Sequence, residues 1–447
     1  MLHRLLVSVV ALLLGSCPLS AERIQVLEDF EGDERLGTRW TAHGDIRVSR
    51  STDKEAVADP VGGGNRFVTC QTGSGSTLAT QSTVPRSEWE RFDKLRFRIQ
   101  IEEASSENPV TLEFRAFSRE RSASFWRKIT IRDPDWNQID VPLQFCRYSP
   151  GASLTWNEIH RFGFRFRAAA TVRLDDIELV ADADGSPELT TEELAQIAFG
   201  SRAIIYRDQQ FHLITDDRRL DGEATLAEFQ KLRAMIQRDF PDLPRQRRPI
   251  QTLVFSSRDA YRNFWPRFGL KFASTVPPVT TDGYSLLGIA GSYYSAQYKT
   301  VRPVLIHEAC HAFFAHCTGL PNATEWLHEG LANYYQLNWT GQDVIAMTHQ
   351  RMQQGKLVPL DELLTGKRIR ISDYAQVAAF VQWLMNDAAC RKQLSAAMRV
   401  MRQRCSTQLQ PICETTFGVP LEQLELSWLR WLQQNEHQNE QQRGESN

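Results

Sequence analysis

The chain has 447 residues, enough for two or three domains with cores of their own. With 42% hydrophobic and 24% charged residues it has the make-up of a soluble globular protein. A formal net charge of −2 gives no field to draw in nucleic acid or an anionic membrane surface, so no nucleic-acid partner is expected, and the scattered arginines are read as solvated faces.

The first residues read as a targeting segment, 1–21. Met1-Leu2-His3-Arg4 is a short basic start, and Leu5 to Leu14 is an apolar run too short to span a bilayer. The run ends in Leu14-Gly15-Ser16-Cys17, which resembles the lipobox of bacterial lipoproteins. That resemblance implies a lipidated Cys17 and a lipid anchor to membrane; cleavage after Ala21 is the alternative. Either way the protein is expected to be exported: periplasmic, outer-membrane-anchored or extracellular in a bacterium. Seven cysteines remain beyond Cys17, so at least one is unpaired. Cys405 and Cys413 can close a short loop, with Cys390 in competition. Cys310 and Cys317 sit on one helix with roughly 10 Å of rise between them, too far to bridge.

Residues 22–183 alternate. Lys94–Ile101, Val110–Phe117 and Phe162–Arg167 each repeat with period two, and turn residues separate the runs, which predicts an all-β sandwich. Leu27-Glu28-Asp29-Phe30-Glu31-Gly32 at the start and Val172 to Leu179 at the end resemble the galactose-binding-like jelly-roll domains. The resemblance implies a carbohydrate ligand and a structural Ca2+ near the paired termini. Trp40, Trp89, Trp126, Trp136 and Trp156 are candidates for a sugar platform, with core packing as the alternative. Asp29, Glu31 and Asp175 or Asp176 are the candidate calcium oxygens, with plain surface carboxylates as the alternative.

Residues 184–199 read as a linker ending in a short helix, and 200–435 as a second, α+β domain. Its strands are expected at Phe211–Thr215 and Pro249–Phe255, and its first long helix at Thr225–Phe240. Ser257 can cap the next helix. Gly283–Tyr298 reads as a hairpin or edge strand, and Gly288–Ser295 within it as a place where substrate backbone can add a strand. Helices follow around Val344–Gln354, Leu360–Leu364, Tyr374–Asn386, Lys392–Arg402 and Leu421–Gln434. The Gln/Glu-rich tail, 436–447, is expected to be disordered.

The chemistry is concentrated in Val301–Gln336. On a helix over Pro303–Cys317, His307 and His311 of His307-Glu308-Ala309-Cys310-His311 stand one turn apart on one face and can meet one cation. Cys310 falls on the buried stripe with Ile306, Phe313 and Cys317, and His316 lies off the metal face. Seventeen residues separate His311 from Glu329, which sits on a second predicted helix, Glu325–Tyr335. Two histidines and a carboxylate leave one position open, as at a catalytic Zn2+.

His307-Glu308-x-x-His311 followed by Trp326-Leu327-His328-Glu329-Gly330-Leu331-Ala332 resembles the gluzincin metallopeptidases, most closely the bacterial peptidase MA-like domains, from the Phe211 strand to the helix around Trp428. The resemblance implies zinc ligands at His307, His311 and Glu329 and a general base at Glu308. It also suggests a tyrosine downstream of the third ligand as oxyanion donor. Tyr374 is the candidate, with His328, Tyr293 and Tyr294 behind it. One departure is Asn333, where thermolysin-like enzymes carry an aspartate; its amide can still hydrogen-bond a ligand histidine. The expected whole is an exported zinc metallopeptidase acting on peptides or proteins, without the G-x-M-E-N signature of aminopeptidases. The alternative is a cell-envelope glycan-binding protein whose metallopeptidase-like domain does not cut peptides.

Overall fold

The computed structural model describes residues 23–30, 39–52, 66–81, 89–118, 124–143, 146–148, 156–181, 189–243, 249–271, 276–298, 300–318, 324–365, 367–404 and 408–445. The expected signal segment with Cys17 and Ala21 lies outside these residues, as do Glu31 and Cys405.

The N-terminal strands are β1 (Arg23–Glu28), β2 (Trp40–His43), β3 (Ile46–Thr52), β4 (Arg66–Thr72), β5 (Thr77–Thr80), β6 (Lys94–Ile101), β7 (Val110–Ser118), β8 (Ser124–Ile131), β9 (Asn137–Pro142), β10 (Arg147–Tyr148), β11 (Ile159–Phe166) and β12 (Ala170–Ala181). They form two sheets, ordered β3-β4-β12-β6-β9 with β1 also on β12, and β10-β8-β7-β11-β5-β2. Every pairing is antiparallel. Alternation assigns the faces. Leu95, Phe97, Ile99 and Ile101 of β6 point inward and are buried, while Arg96, Arg98 and Gln100 between them point out. Phe97 meets Phe164 across the core with ring centroids 4.9 Å apart. Each such buried side chain contributes about 1.5–3 kcal/mol.

Most of the expected sugar platform is structural. Trp40 and Trp89 are buried, and Trp156 stacks on Phe125 at 3.9 Å and packs against the core. Trp40 also donates through Nε1 to the buried Glu28 at 3.0 Å. Only Trp126 and Trp136 of the set lie on outer faces. The calcium candidates are partly neutralised: Arg98 lies 3.8 Å from Asp175 and 3.3 Å from Asp176.

The C-terminal domain begins earlier than the linker boundary implies. Helix α1 (Thr191–Phe199) is capped by Thr190, whose hydroxyl accepts from the Glu193 amide while Glu193 reaches back. Its Leu194 and Phe199 are buried with Ile214, Leu253 and Phe255, so it belongs to this domain's core. The sheet is β13 (Ile204–Arg207), β14 (Phe211–Thr215), β15 (Ile250–Phe255), β16 (Gly283–Leu286) and β17 (Ile289–Tyr293), in the order β13-β14-β15-β17-β16. The three central strands are parallel and the two edges antiparallel. Around and after it come α2 (Gly222–Asp239), α3 (Arg258–Lys271), α4 (Pro303–Thr318), α5 (Glu325–Thr340), α6 (Val344–Gln353), α7 (Leu360–Leu363), α8 (Tyr374–Asn386), α9 (Ala388–Arg404), α10 (Gln410–Phe417) and α11 (Leu421–Glu445). Ser257 caps α3 through the Ala260 amide at 3.2 Å.

Two expectations need correction. α11 runs to Glu445, into the stretch expected to be disordered, because Glu, Gln and Arg are good helix formers that extend a nucleated helix. Cys413 is a free, buried thiol rather than half of a bridge. No described helix is long and apolar enough to cross a membrane.

Candidate metal centre

α4 opens with Pro303, whose missing N–H costs nothing at a first helical position. The helix is buried along most of its length, and Ile306, Cys310, Phe313 and Cys317 all lie in the core. That packing fixes the rotation of α4, so His307 and His311 present their rings on one side, 4.6 Å apart and nearly perpendicular. α5 packs against α4 and carries Glu329 to the same point. Nε2 of His307 lies 3.0 Å from Nε2 of His311 and 3.2 Å from Oε2 of Glu329, and Nε2 of His311 lies 3.5 Å from Oε1. Among the described residues this is the group of three metal-type side chains that converges, with all donor atoms within 4.8 Å.

The spacing fits a small cation. Ligand atoms held 2.0–2.1 Å from one tetrahedral centre lie about 3.3 Å apart. Glu329 Oε2 is buried and makes no hydrogen bond although His307 Nε2 is 3.2 Å away, so the pair is close but not aligned for N–H donation. A buried carboxylate oxygen and two ring nitrogens aimed at one another suit a shared cation better than each other.

Titration follows the same crowding. Burial drives His311 down to about 3 against the pull of Glu329, with His307 and His328 adding to the drop. Burial also opposes charge on His307, but the Glu329 carboxylate outweighs it and the net shift is upward. Burial would raise Glu329, yet the surrounding histidines bring it to about 2. Glu308 moves the other way. Burial lifts it to about 7; His307 and a hydrogen bond with Ser285 pull it down, and the Glu329 carboxylate adds to the rise.

Glu308 lies against the sheet edge. A Cβ on Gly283 of β16 would stand 2.8 Å from Glu308 Cγ and 2.6 Å from Val304, so only glycine lets β16 approach α4 here. On α5, Gly330 does the same for α8: a Cβ would meet Val381 at 2.6 Å. The start of α5 is tied to the segment before α8, since Ile369 N donates to Glu325 Oε2 at 2.9 Å. Asp373 is paired with Arg351 at 2.7 Å and Gln376 clamps Val358 through both its amide groups. This holds Tyr374, the first residue of α8, with its phenol at Glu329. Burial and then that carboxylate keep the phenol protonated well above its ordinary range.

Several expectations move. Asn333 does not reach a ligand ring; its Nδ2 donates to the Glu329 carbonyl at 2.8 Å within its own helix. Gln336 is the residue of this face whose side chain comes near His307 and favours its charged form. It follows Glu329 and Asn333 on one helical face, at seven residues from Glu329, a spacing that was available to find it. Gly288–Ser295 cannot take an added strand, because β17 is paired on both sides; the edge strand on this side of the sheet is β16. The β16–β17 hairpin turns on Leu287 and Gly288, both left-handed (φ 54 and 74), as a two-residue hairpin loop demands. Tyr293 spends its hydroxyl on Asp282 at 2.8 Å, and Tyr294 lies under Arg219. His328 lies beside the site, 6.1 Å from His311 between ring centroids. His316 sits within 3.3 Å of the Gly288 carbonyl and joins the helix to the turn.

Comparison with known proteins places the N-terminal part. Residues 15–181 match the model of a carbohydrate binding domain (family 11). A family 11 carbohydrate-binding module from Clostridium thermocellum, in complex with a beta-1,3-1,4-mixed-linked tetrasaccharide, is 19% identical; the match covers 35% of this chain and 95% of that one, with a TM-score of 0.27. The xylan-binding domain CBM22-1 of Xyn10C from Paenibacillus barcinonensis is 13% identical over 36% of this chain and 99% of that one, TM-score 0.24. An exo-beta-agarase is 15% identical over 38% and 29%, TM-score 0.26. No curated protein matches the chain. The chain is therefore multidomain: a β-sandwich that fits a carbohydrate-binding module, followed by a largely helical C-terminal region.

Proposed function

We propose that the protein is an exported glycan-binding protein whose N-terminal sandwich holds a carbohydrate, and that its C-terminal domain is a zinc-dependent metallopeptidase. The first half is supported by the carbohydrate-binding match over residues 15–181. The second half is supported by one observation: His307, His311 and Glu329 converge to within 4.8 Å with a buried carboxylate oxygen left unbonded.

Zinc, when bound there, supplies a Lewis acid for the substrate carbonyl and acidifies a water. The chain's own residues do the rest. Glu308, poised near neutrality by burial, takes the proton of the attacking water and passes it to the departing amine. The Tyr374 phenol, kept protonated, donates to the tetrahedral oxyanion. The free edge of β16 pairs with substrate backbone, and the close approach of Gly283 to α4 sets that edge beside Glu308.

Cleavage of a proteome-derived peptide library, wild type against Glu308→Gln, tests the peptidase reading. Peptides cut by the wild type and spared by the variant support it; an untouched library contradicts it. The carbohydrate match favours a second reading, in which the sandwich acts and the C-terminal domain cuts no peptide. A glycan array probed with the full chain separates the two: glycan binding with an intact peptide library selects the second, and silence on the array removes it.

A further inference from the structure

The two outer faces of the sandwich use charge differently. On the β3-β4-β12-β6-β9 sheet the outward bases of β6 and Arg173 of β12 have carboxylates beside them. Arg96 and Lys94 hold Asp140 at 3.0 and 3.3 Å, Arg98 holds Asp176 at 3.3 Å, and Arg173 holds Glu102 at 2.6 Å. The other face is basic. Strand register sets Arg165, Glu113 and Lys128 side by side across β11, β7 and β8. The next row is Gly163, Arg115 and Trp126, and the third is Arg161, Phe117 and Ser124. Glu113 is the one carboxylate in these rows, and it is consumed: it is 1% exposed and clamped by Arg115 and Arg167. Among the described residues, Arg161, Arg165 and Lys128 meet no carboxylate.

Spacing makes the face a site rather than a scatter. Arg161 and Arg165 lie on the same side of β11, about 13 Å apart by strand rise. Between them Gly163 raises no side chain, and its neighbour on β5, Ala79, raises only a methyl. No long side chain stands between the arginines on β11 and β5, and the row ends on the half-buried indole of Trp126. Guanidinium groups match planar carboxylates in a bidentate way, and an aromatic face suits the C–H side of a sugar ring.

We propose that this face binds an acidic polysaccharide, a chain of sugars bearing carboxylates, laid across β5, β11, β7 and β8. Charge complementarity chooses the ligand class, and the inference rests on the carbohydrate reading of the sandwich. Glu113 is a positioning residue that holds Arg115 and Arg167 at the face. A duplex nucleic acid would satisfy the same charges, but the carbohydrate-binding match spans these strands and favours the sugar.

The test is affinity electrophoresis of the full chain in gels containing polygalacturonate, neutral mixed-linked β-glucan or duplex DNA. The expected result is retention by polygalacturonate that fades as salt rises. The double variant Arg161→Ala/Arg165→Ala should weaken retention at least about tenfold, while Arg96→Ala on the opposite face leaves it unchanged. Unfolding midpoints confirm that both variants fold, and the salt response of the wild type needs no variant. Retention by neutral glucan alone overturns this inference and leaves the carbohydrate reading standing. Silence toward both sugars overturns both. A salt-independent response, or DNA retained as strongly as polygalacturonate, also overturns it.

Discussion

Glu113 in the sandwich and Glu329 in the C-terminal domain are both carboxylates taken out of water, and the two domains treat them differently. Glu113 is met by two guanidinium groups from neighbouring strands, which outweigh burial and hold its pKa below the ordinary carboxylate value. Glu329 is met by two imidazoles that are themselves buried, with no arginine or lysine at bonding distance among the described residues. A buried charge is costly unless it is paired. The sandwich settles that cost with fixed cations and gains a rigid sheet. The C-terminal domain gives Glu329 no such fixed cation among the described residues, and the proposed zinc would supply one. The contrast separates a structural acid from the proposed ligand.

Five substitutions probe this difference, the largest expected effect first. Glu308→Gln removes the proton acceptor but no ligand, so peptide hydrolysis should fall by about 10²–10⁴ while metal content is unchanged. Tyr374→Phe removes one donor to the oxyanion and should lower kcat by about 10²–10³ with KM little affected; steady-state kinetics on a cleaved peptide checks it. Gln336→Ala takes away the polar side chain near His307 and should weaken zinc about 10–100-fold in a chelator competition. Asn333→Ala, whose amide bonds only its own helix, should weaken it much less. Glu113→Gln should cost the sandwich about 1–2 kcal/mol, less than a fully buried pair because Arg115 and Arg167 are partly solvated.

That last variant also carries a pH signature. Glu113 has a lower pKa folded than unfolded, where the ordinary value is about 4.3. Its stabilisation is therefore complete above that value and is lost as pH falls through the lower, folded one. Thermal unfolding of the wild type should steepen below about pH 4, and Glu113→Gln should flatten that part of the profile.

The convergence of His307, His311 and Glu329 was readable because its constraint is local. A four-residue spacing on a helix puts His307 and His311 on one face whatever surrounds them, and Glu329 sits on a helix of its own. Strand existence was readable for the same reason, from period two. What sequence could not show is which strand lies at an edge. β17 looks like an exposed segment until pairing with β15 and β16 closes both its sides. Trp40, Trp89 and Trp156 look like a sugar platform until burial makes them core, because an aromatic at an alternating position is the same letter on either face. The arginines look like solvated residues spread along the chain. Only strand register gathers Arg115, Arg161 and Arg165 onto one face with Glu113 spent between them. Gln336 was missed because the nearest family pattern pointed to position 333, one turn short of the polar side chain that favours charge on His307.

The most direct measurement is metal content by mass spectrometry on the full chain, purified, exposed to zinc and desalted. About one zinc per chain is expected in the wild type and in Glu308→Gln, and none in His307→Ala or Glu329→Ala. A wild-type protein that retains no zinc, or a Glu329→Ala protein that retains as much as the wild type, would contradict it.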